Sequence, residues 1–70
     1  MTPFAIGRIK ATRDTGYIPL KFAMKGHSIL IKMVTSEWFP LVEVAKDTEQ
    51  AMEILRSDKQ FYNIQQYTKV

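Results

Sequence analysis

The strongest constraint on the fold is a strict alternation of side-chain character between residues 18 and 25. The apolar positions are Ile18, Leu20, Phe22 and Met24, and the positions between them are Pro19, Lys21, Ala23 and Lys25. A period of two is typical of a β-strand with its two faces in different environments. We therefore predict a strand with one apolar face, which includes Phe22, and one basic face.

The residues that follow predict a hairpin. Lys25-Gly26 is a turn signal, because glycine adopts positive φ angles without steric cost. The segment from Ser28 to Thr35 is rich in β-branched and aliphatic residues and forms the second strand of the hairpin. Upstream, Asp14-Thr15-Gly16 is a further turn signal, which joins an earlier strand, roughly residues 4 to 13, to the strand that begins near Tyr17.

The first strand carries two apolar pairs of opposite parity. Phe4 and Ile6 share one parity, whereas Ile9 and Ala11 share the other. Both pairs can reach the core only if the strand shifts phase between them. We expect a β-bulge at Gly7 to produce that shift.

The second half of the chain supplies a short strand, a helix and a final strand. Pro40 separates Glu37-Trp38-Phe39 from a strand over residues 41–45, and Asp47 with Gln50 is the pattern of a helix N-cap. Residues 61–70 then read as a polar edge strand. The order is β-β-β-β-α-β, which predicts a single α+β domain over residues 1–70, with an antiparallel sheet of about five strands and one helix packed on a face.

Size and composition limit how such a domain is stabilised. A chain of 70 residues without cysteine has no disulfide and no thiolate metal site. A core this small contributes no more than about 3–5 kcal/mol, so association with a partner or with itself is a plausible support. The N-terminus lacks the pattern of a secretory signal and no apolar run spans a bilayer, so we expect a cytoplasmic protein with no membrane contact.

Charge is divided unevenly along the chain. Residues 1–35 carry six bases and one acid, whereas residues 36–70 carry four bases and six acids. Because the basic half contains the predicted hairpin, one face of the sheet should be positive. A positive face suggests an anionic partner.

Strand parity assigns residues to this basic face. Leu30, Lys32 and Val34 project to the same side as Lys21 and Lys25 if the odd-numbered residues of the hairpin's second strand join the core. Aliphatic residues among lysines resemble a protein-binding patch. The predicted binding residues are Lys21, Lys25, Lys32, Leu30 and Val34, extended by Arg8 and Lys10 if the first strand lies alongside.

The predicted function is a non-catalytic binding module, accessory or inhibitory, that docks on an acidic surface of a larger protein. The alternative partner is a nucleic acid whose phosphates contact the same lysines, and a third possibility is a constitutive subunit or homodimer. A curled sheet could instead bury Leu30 and Val34 inside a small barrel. The aromatic rings near Trp38 are either interface anchors or core, and burial is expected for Phe39.

Enzyme chemistry has little support in the sequence. The serines lack a nucleophile motif and the three glycines form no phosphate-binding loop. The single histidine, His27, has no second histidine or carboxylate beside it in the pattern. We therefore predict no catalytic site, no metal and no cofactor.

Overall fold

The molecule is a five-stranded sheet with a helix on one face. In a computed structural model that describes residues 2–11 and 16–67, the order of elements is β-β-β-β-α-β. The elements are β1 (Ala5–Lys10), β2 (Tyr17–Lys25), β3 (Ser28–Met33), β4 (Phe39–Val44), α1 (Thr48–Ser57) and β5 (Phe61–Gln66). The strands lie in the order β4-β3-β2-β1-β5, and each neighbouring pair is antiparallel. The predicted α+β class and order of elements are confirmed.

One face of the sheet packs against α1 and forms the hydrophobic core. Residues directly opposite each other on antiparallel strands share a face, and Phe22 lies opposite Ala5 on one side and Ile31 on the other. All three are buried, together with Leu55 of α1. The ring of Phe22 also meets that of Phe61 edge to face, with 5.3 Å between centroids. The predicted burial of Phe22 is confirmed.

Two side-chain hydrogen bonds fix the start of α1. The backbone N–H of Gln50 donates to Oδ1 of Asp47 at 2.9 Å, and the backbone N–H of Lys46 donates to Oε1 of Gln50 at 2.8 Å. The first contact satisfies a backbone donor that the first helical turn leaves free, and the second ties the residue before the N-cap to the helix. The predicted N-cap at Asp47 is confirmed.

The expected bulge at Gly7 is wrong. β1 pairs with β2 without interruption from Ala5 to Lys10, and the irregularity lies opposite Gly7 in β5, where Asn63 has a φ of 58°. Gly7 lies in a closely packed position, where an added Cβ would lie 2.5 Å from Cδ1 of Ile64 and would force that side chain to move. Without a phase shift in β1, Ile6 faces away from the core.

The region around Pro40 also differs from expectation. β4 begins at Phe39 and includes Pro40, although the sequence predicted a strand starting after the proline. β4 is an edge strand, and a residue without an N–H is tolerated where the backbone faces no further strand. Phe39 was expected to be buried but is exposed, because it lies on this edge strand.

Parts of three sequence predictions lie outside the described residues. These are residues 12–13 at the end of the first strand, the Asp14-Thr15 part of the first turn, and residues 68–70 at the end of the last strand. Within residues 2–11 and 16–67, no helix has the length and apolar character that crossing a membrane requires.

Candidate binding face

The sheet face turned away from α1, called here the outer face, is rich in cations. The cross-strand register places five basic side chains on it: Arg8, Lys10, Lys21, Lys25 and Lys32. By contrast, acidic side chains surround α1 and line two shallow depressions beside it: Asp47 and Glu49 in one, and Glu43, Glu53 and Asp58 in the other. The division of charge along the sequence is therefore also a division between the two sides of the domain.

Apolar and cationic side chains are neighbours at the centre of the outer face. One row across the sheet contains Ile6, Lys21 and Lys32, which are direct cross-strand neighbours. In the adjacent row Arg8 lies opposite Pro19. These residues, together with Val34, line a concavity of about 390 Å³, which we call the outer cleft. An apolar cavity with cationic walls is suited to an anion that also carries an apolar group.

The position of one cation is set by an internal hydrogen bond. Nζ of Lys32 donates to the backbone oxygen of Ser36 at 2.7 Å, and the Ser36 hydroxyl accepts from the backbone N–H of Met33 at 2.8 Å. The turn after β3 thus holds the Lys32 ammonium at the wall of the outer cleft. Lys21 and Lys32 lie on directly facing positions of neighbouring strands, an arrangement in which like charges generally repel.

The two aliphatic residues of the predicted patch have different environments. Val34 is 71% exposed and lines the outer cleft, whereas Leu30 is only 9% exposed. Leu30 lies between Ala23 of β2 and Pro40 of β4, and it offers almost no surface to a partner. The sheet is open between β4 and β5 in strand order, so Val34 is not enclosed by a barrel.

Lys25 and Lys10 lie at opposite ends of the outer face. Lys25 is opposite Ser28 at the hairpin turn, and Lys10 is opposite Tyr17 at the start of β2. The length of β2 between these two rows is eight residues, or about 27 Å at the rise of a strand. Cationic groups thus extend along the whole face, beyond the outer cleft.

A pair of tyrosines on the outer face was not assigned from the sequence. Tyr17 lies opposite Lys10 and Tyr62 opposite Arg8, and the two rings meet edge to face with 5.4 Å between centroids. They are 49% and 43% exposed. The odd parity that Tyr17 shares with Lys21 indicated its face, but the position of Tyr62 depends on the pairing of β5 with β1.

Neither His27 nor Trp38 lines the outer cleft. His27 is exposed in the two-residue turn between β2 and β3, and Trp38 is half-buried before β4. In the part of the chain that the structure describes, no three histidine, aspartate or glutamate side chains are grouped as metal ligands.

Comparisons with known proteins supply no relative. No protein-family model matches the chain, and neither the curated proteins nor the solved structures contain a significant match.

Proposed function

We propose that this protein is a non-catalytic binding module that docks its outer face on an acidic surface of a larger protein. The observation that supports the proposal most strongly is the collection of five basic side chains on the one sheet face that the helix leaves open. A folded domain does not need such a cluster, because surface cations contribute little to stability and neighbouring ones repel. An acidic partner surface removes this repulsion and accelerates the encounter.

The apolar side chains of the outer face favour a protein as the partner. Val34 and Val44 are exposed, and Ile6 and Pro19 lie between the cations. Burial of such groups at the centre of a contact supplies affinity that charge alone does not, while cations at the rim supply orientation. The accessory or inhibitory role is part of this proposal, and it requires only that the outer face cover a surface of the partner.

Affinity capture tests the proposal. The tagged protein is used to capture partners from an extract of its source cell, with and without nuclease, beside two variants of equal charge change. Lys21→Glu/Lys25→Glu reverses two cations of the outer face, and Arg56→Glu/Lys59→Glu reverses two exposed cations near the end of α1. We expect one protein in fixed stoichiometry after nuclease treatment, retained by the α1 variant and lost by the outer-face variant. Equal retention by both variants contradicts the proposal.

A second candidate function is the binding of single-stranded nucleic acid, and the tyrosine pair favours it. Tyr17 and Tyr62 are exposed beside Lys10 and Arg8, and aromatic rings next to cations are the elements that bind bases and phosphates together. Base stacking on such a ring contributes about 1–3 kcal/mol.

Fluorescence anisotropy with a labelled oligothymidylate tests this second function. The nucleic-acid function predicts binding that weakens by at least tenfold in Tyr17→Leu/Tyr62→Leu and that falls steeply with salt. Binding that is unchanged in the tyrosine variant, or absent at low salt, excludes the stacking role.

A further inference from the structure

We propose that the outer cleft receives one large apolar side chain of the partner, and that carboxylates on either side of that side chain contact Arg8, Lys21 and Lys32. This inference rests on the proposed function and specifies the chemistry of the partner segment. The occupant is therefore an acidic peptide segment with a bulky apolar residue at its centre.

The dimensions of the outer cleft fit a side chain better than a flat contact. Its volume of about 390 Å³ is within the range of about 300–1,000 Å³ found for clefts that hold ligands. Ile6, Pro19 and Val34 are among the apolar residues that line it, and Val34 is 71% exposed. An aromatic or long aliphatic side chain inserted here removes this surface from water.

The cations that line the outer cleft favour a negatively charged occupant. Arg8 and Lys21 are exposed on neighbouring strands, and Lys32 lies directly across from Lys21. No acidic residue is among those that line the cleft in the described structure. Two or more carboxylates would complement these cations, and the guanidinium of Arg8 can bind one of them through two parallel hydrogen bonds.

The hydrogen bond from Lys32 to Ser36 fixes where the Lys32 ammonium can meet a partner group. It holds the ammonium at one wall and leaves two of its three N–H groups free for an acceptor from the partner. A preorganised donor loses less side-chain freedom on binding than a mobile one. The cleft therefore favours a carboxylate at this wall over a diffuse negative charge.

Titration with matched synthetic peptides tests the inference. The probe is acetyl-Asp-Glu-Phe-Glu-Asp-amide, and its control carries serine in place of the central phenylalanine. Binding is followed by the amide shifts of ¹⁵N-labelled protein. We expect the phenylalanine peptide to bind about tenfold more tightly than the serine peptide, with the largest shifts at Ile6, Arg8, Lys21 and Val34.

A variant pair localises the effect. Val34→Ser should abolish the preference for phenylalanine while leaving the acid-dependent binding, whereas Val42→Ser should change neither, because Val42 is 97% exposed outside the outer cleft. Retention of the preference in Val34→Ser overturns the inference. A folded spectrum of each variant confirms that binding, not folding, has changed.

The remaining outcomes distinguish the inference from the function on which it rests. If the two peptides bind equally and Lys21→Glu/Lys25→Glu weakens both, the inference is wrong and docking on an acidic surface stands. If neither peptide binds at millimolar concentration, the inference is also wrong. If shifts at the outer cleft appear only with oligothymidylate, the partner is a nucleic acid and both proposals are overturned.

Discussion

The two faces of the sheet are built from the same strands but differ in burial and charge. The inner face, which packs against α1, is apolar and buried, whereas the outer face is exposed and cationic. On the inner face, Phe22 and Ile31 are buried against α1, and on the outer face their sequence neighbours Lys21 and Lys32 lie opposite each other at the surface. The inner face therefore determines stability, and the outer face accepts an arrangement that stability alone disfavours. Because the fold does not require this arrangement, we propose that it serves binding.

The largest change in the free energy of unfolding is expected for a substitution at the centre of the inner face. Phe22→Ala should lower the free energy of unfolding by about 3–5 kcal/mol, since it removes a fully buried ring and leaves a cavity. A loss of this size is comparable to the whole stability of the domain. Urea denaturation measures it, with Val42→Ala as the matched exposed control, which should change stability by less than about 0.5 kcal/mol. Equal effects of the two substitutions contradict the assignment of the inner face.

A smaller loss is expected where β1 approaches β5. Gly7→Ala should destabilise the protein by about 1–3 kcal/mol, because the added Cβ would lie 2.5 Å from Cδ1 of Ile64 and 3.1 Å from Cε2 of Phe22. Ile64→Val removes the closer of these two atoms. In a double-mutant cycle the cost of Gly7→Ala should therefore be smaller in the Ile64→Val background. Additive effects would show that this contact is not the cause.

Loss of the helix cap should lower the free energy of unfolding by a still smaller amount. Asp47→Ala should cost about 1 kcal/mol, because the N–H of Gln50 loses its acceptor. Asp47→Asn keeps a side-chain acceptor and should cost much less. Thermal unfolding of the two variants checks the order, and equal losses would assign the effect to charge instead of the hydrogen bond.

The smallest effect on stability is expected on the outer face. Lys21→Glu should leave the free energy of unfolding unchanged or raise it by up to about 1 kcal/mol, because an acid then faces Lys32. Lys21→Gln, which removes the repulsion without adding an attraction, should fall between the two. A marked destabilisation by either substitution, measured in urea, would show that the outer cations support the fold.

The fold was predictable from the sequence where a single strand or helix carried the signal. The alternation around Phe22 gave the two faces of β2, and Asp47 with Gln50 gave the start of α1. The bulge expected at Gly7 lies instead across from it in β5, where Asn63 has a positive φ, and β5 is distant from Gly7 in sequence. Pairings between distant strands leave little local signal.

In the candidate site, too, features set by one strand were predictable and features set by strand pairing were not. Strand parity placed the lysines of β2 and β3 on one face, as the register shows. The low exposure of Leu30 depends on its neighbours in β2 and β4, and the pairing of Tyr17 with Tyr62 depends on β5 joining β1. These features arise only when the sheet is assembled, so residue type and parity were insufficient to assign them.

The most direct test of this account compares two double charge reversals for stability and binding in the same preparation. Lys21→Glu/Lys25→Glu and Arg56→Glu/Lys59→Glu change the net charge equally but on opposite sides of the domain. Isothermal titration with the captured partner should show at least a tenfold loss of affinity for the first variant alone, while urea denaturation shows that both variants are folded under the conditions of the titration. Equal affinities, or an outer-face variant that loses binding only because it unfolds, would contradict the separation of a folding face from a binding face.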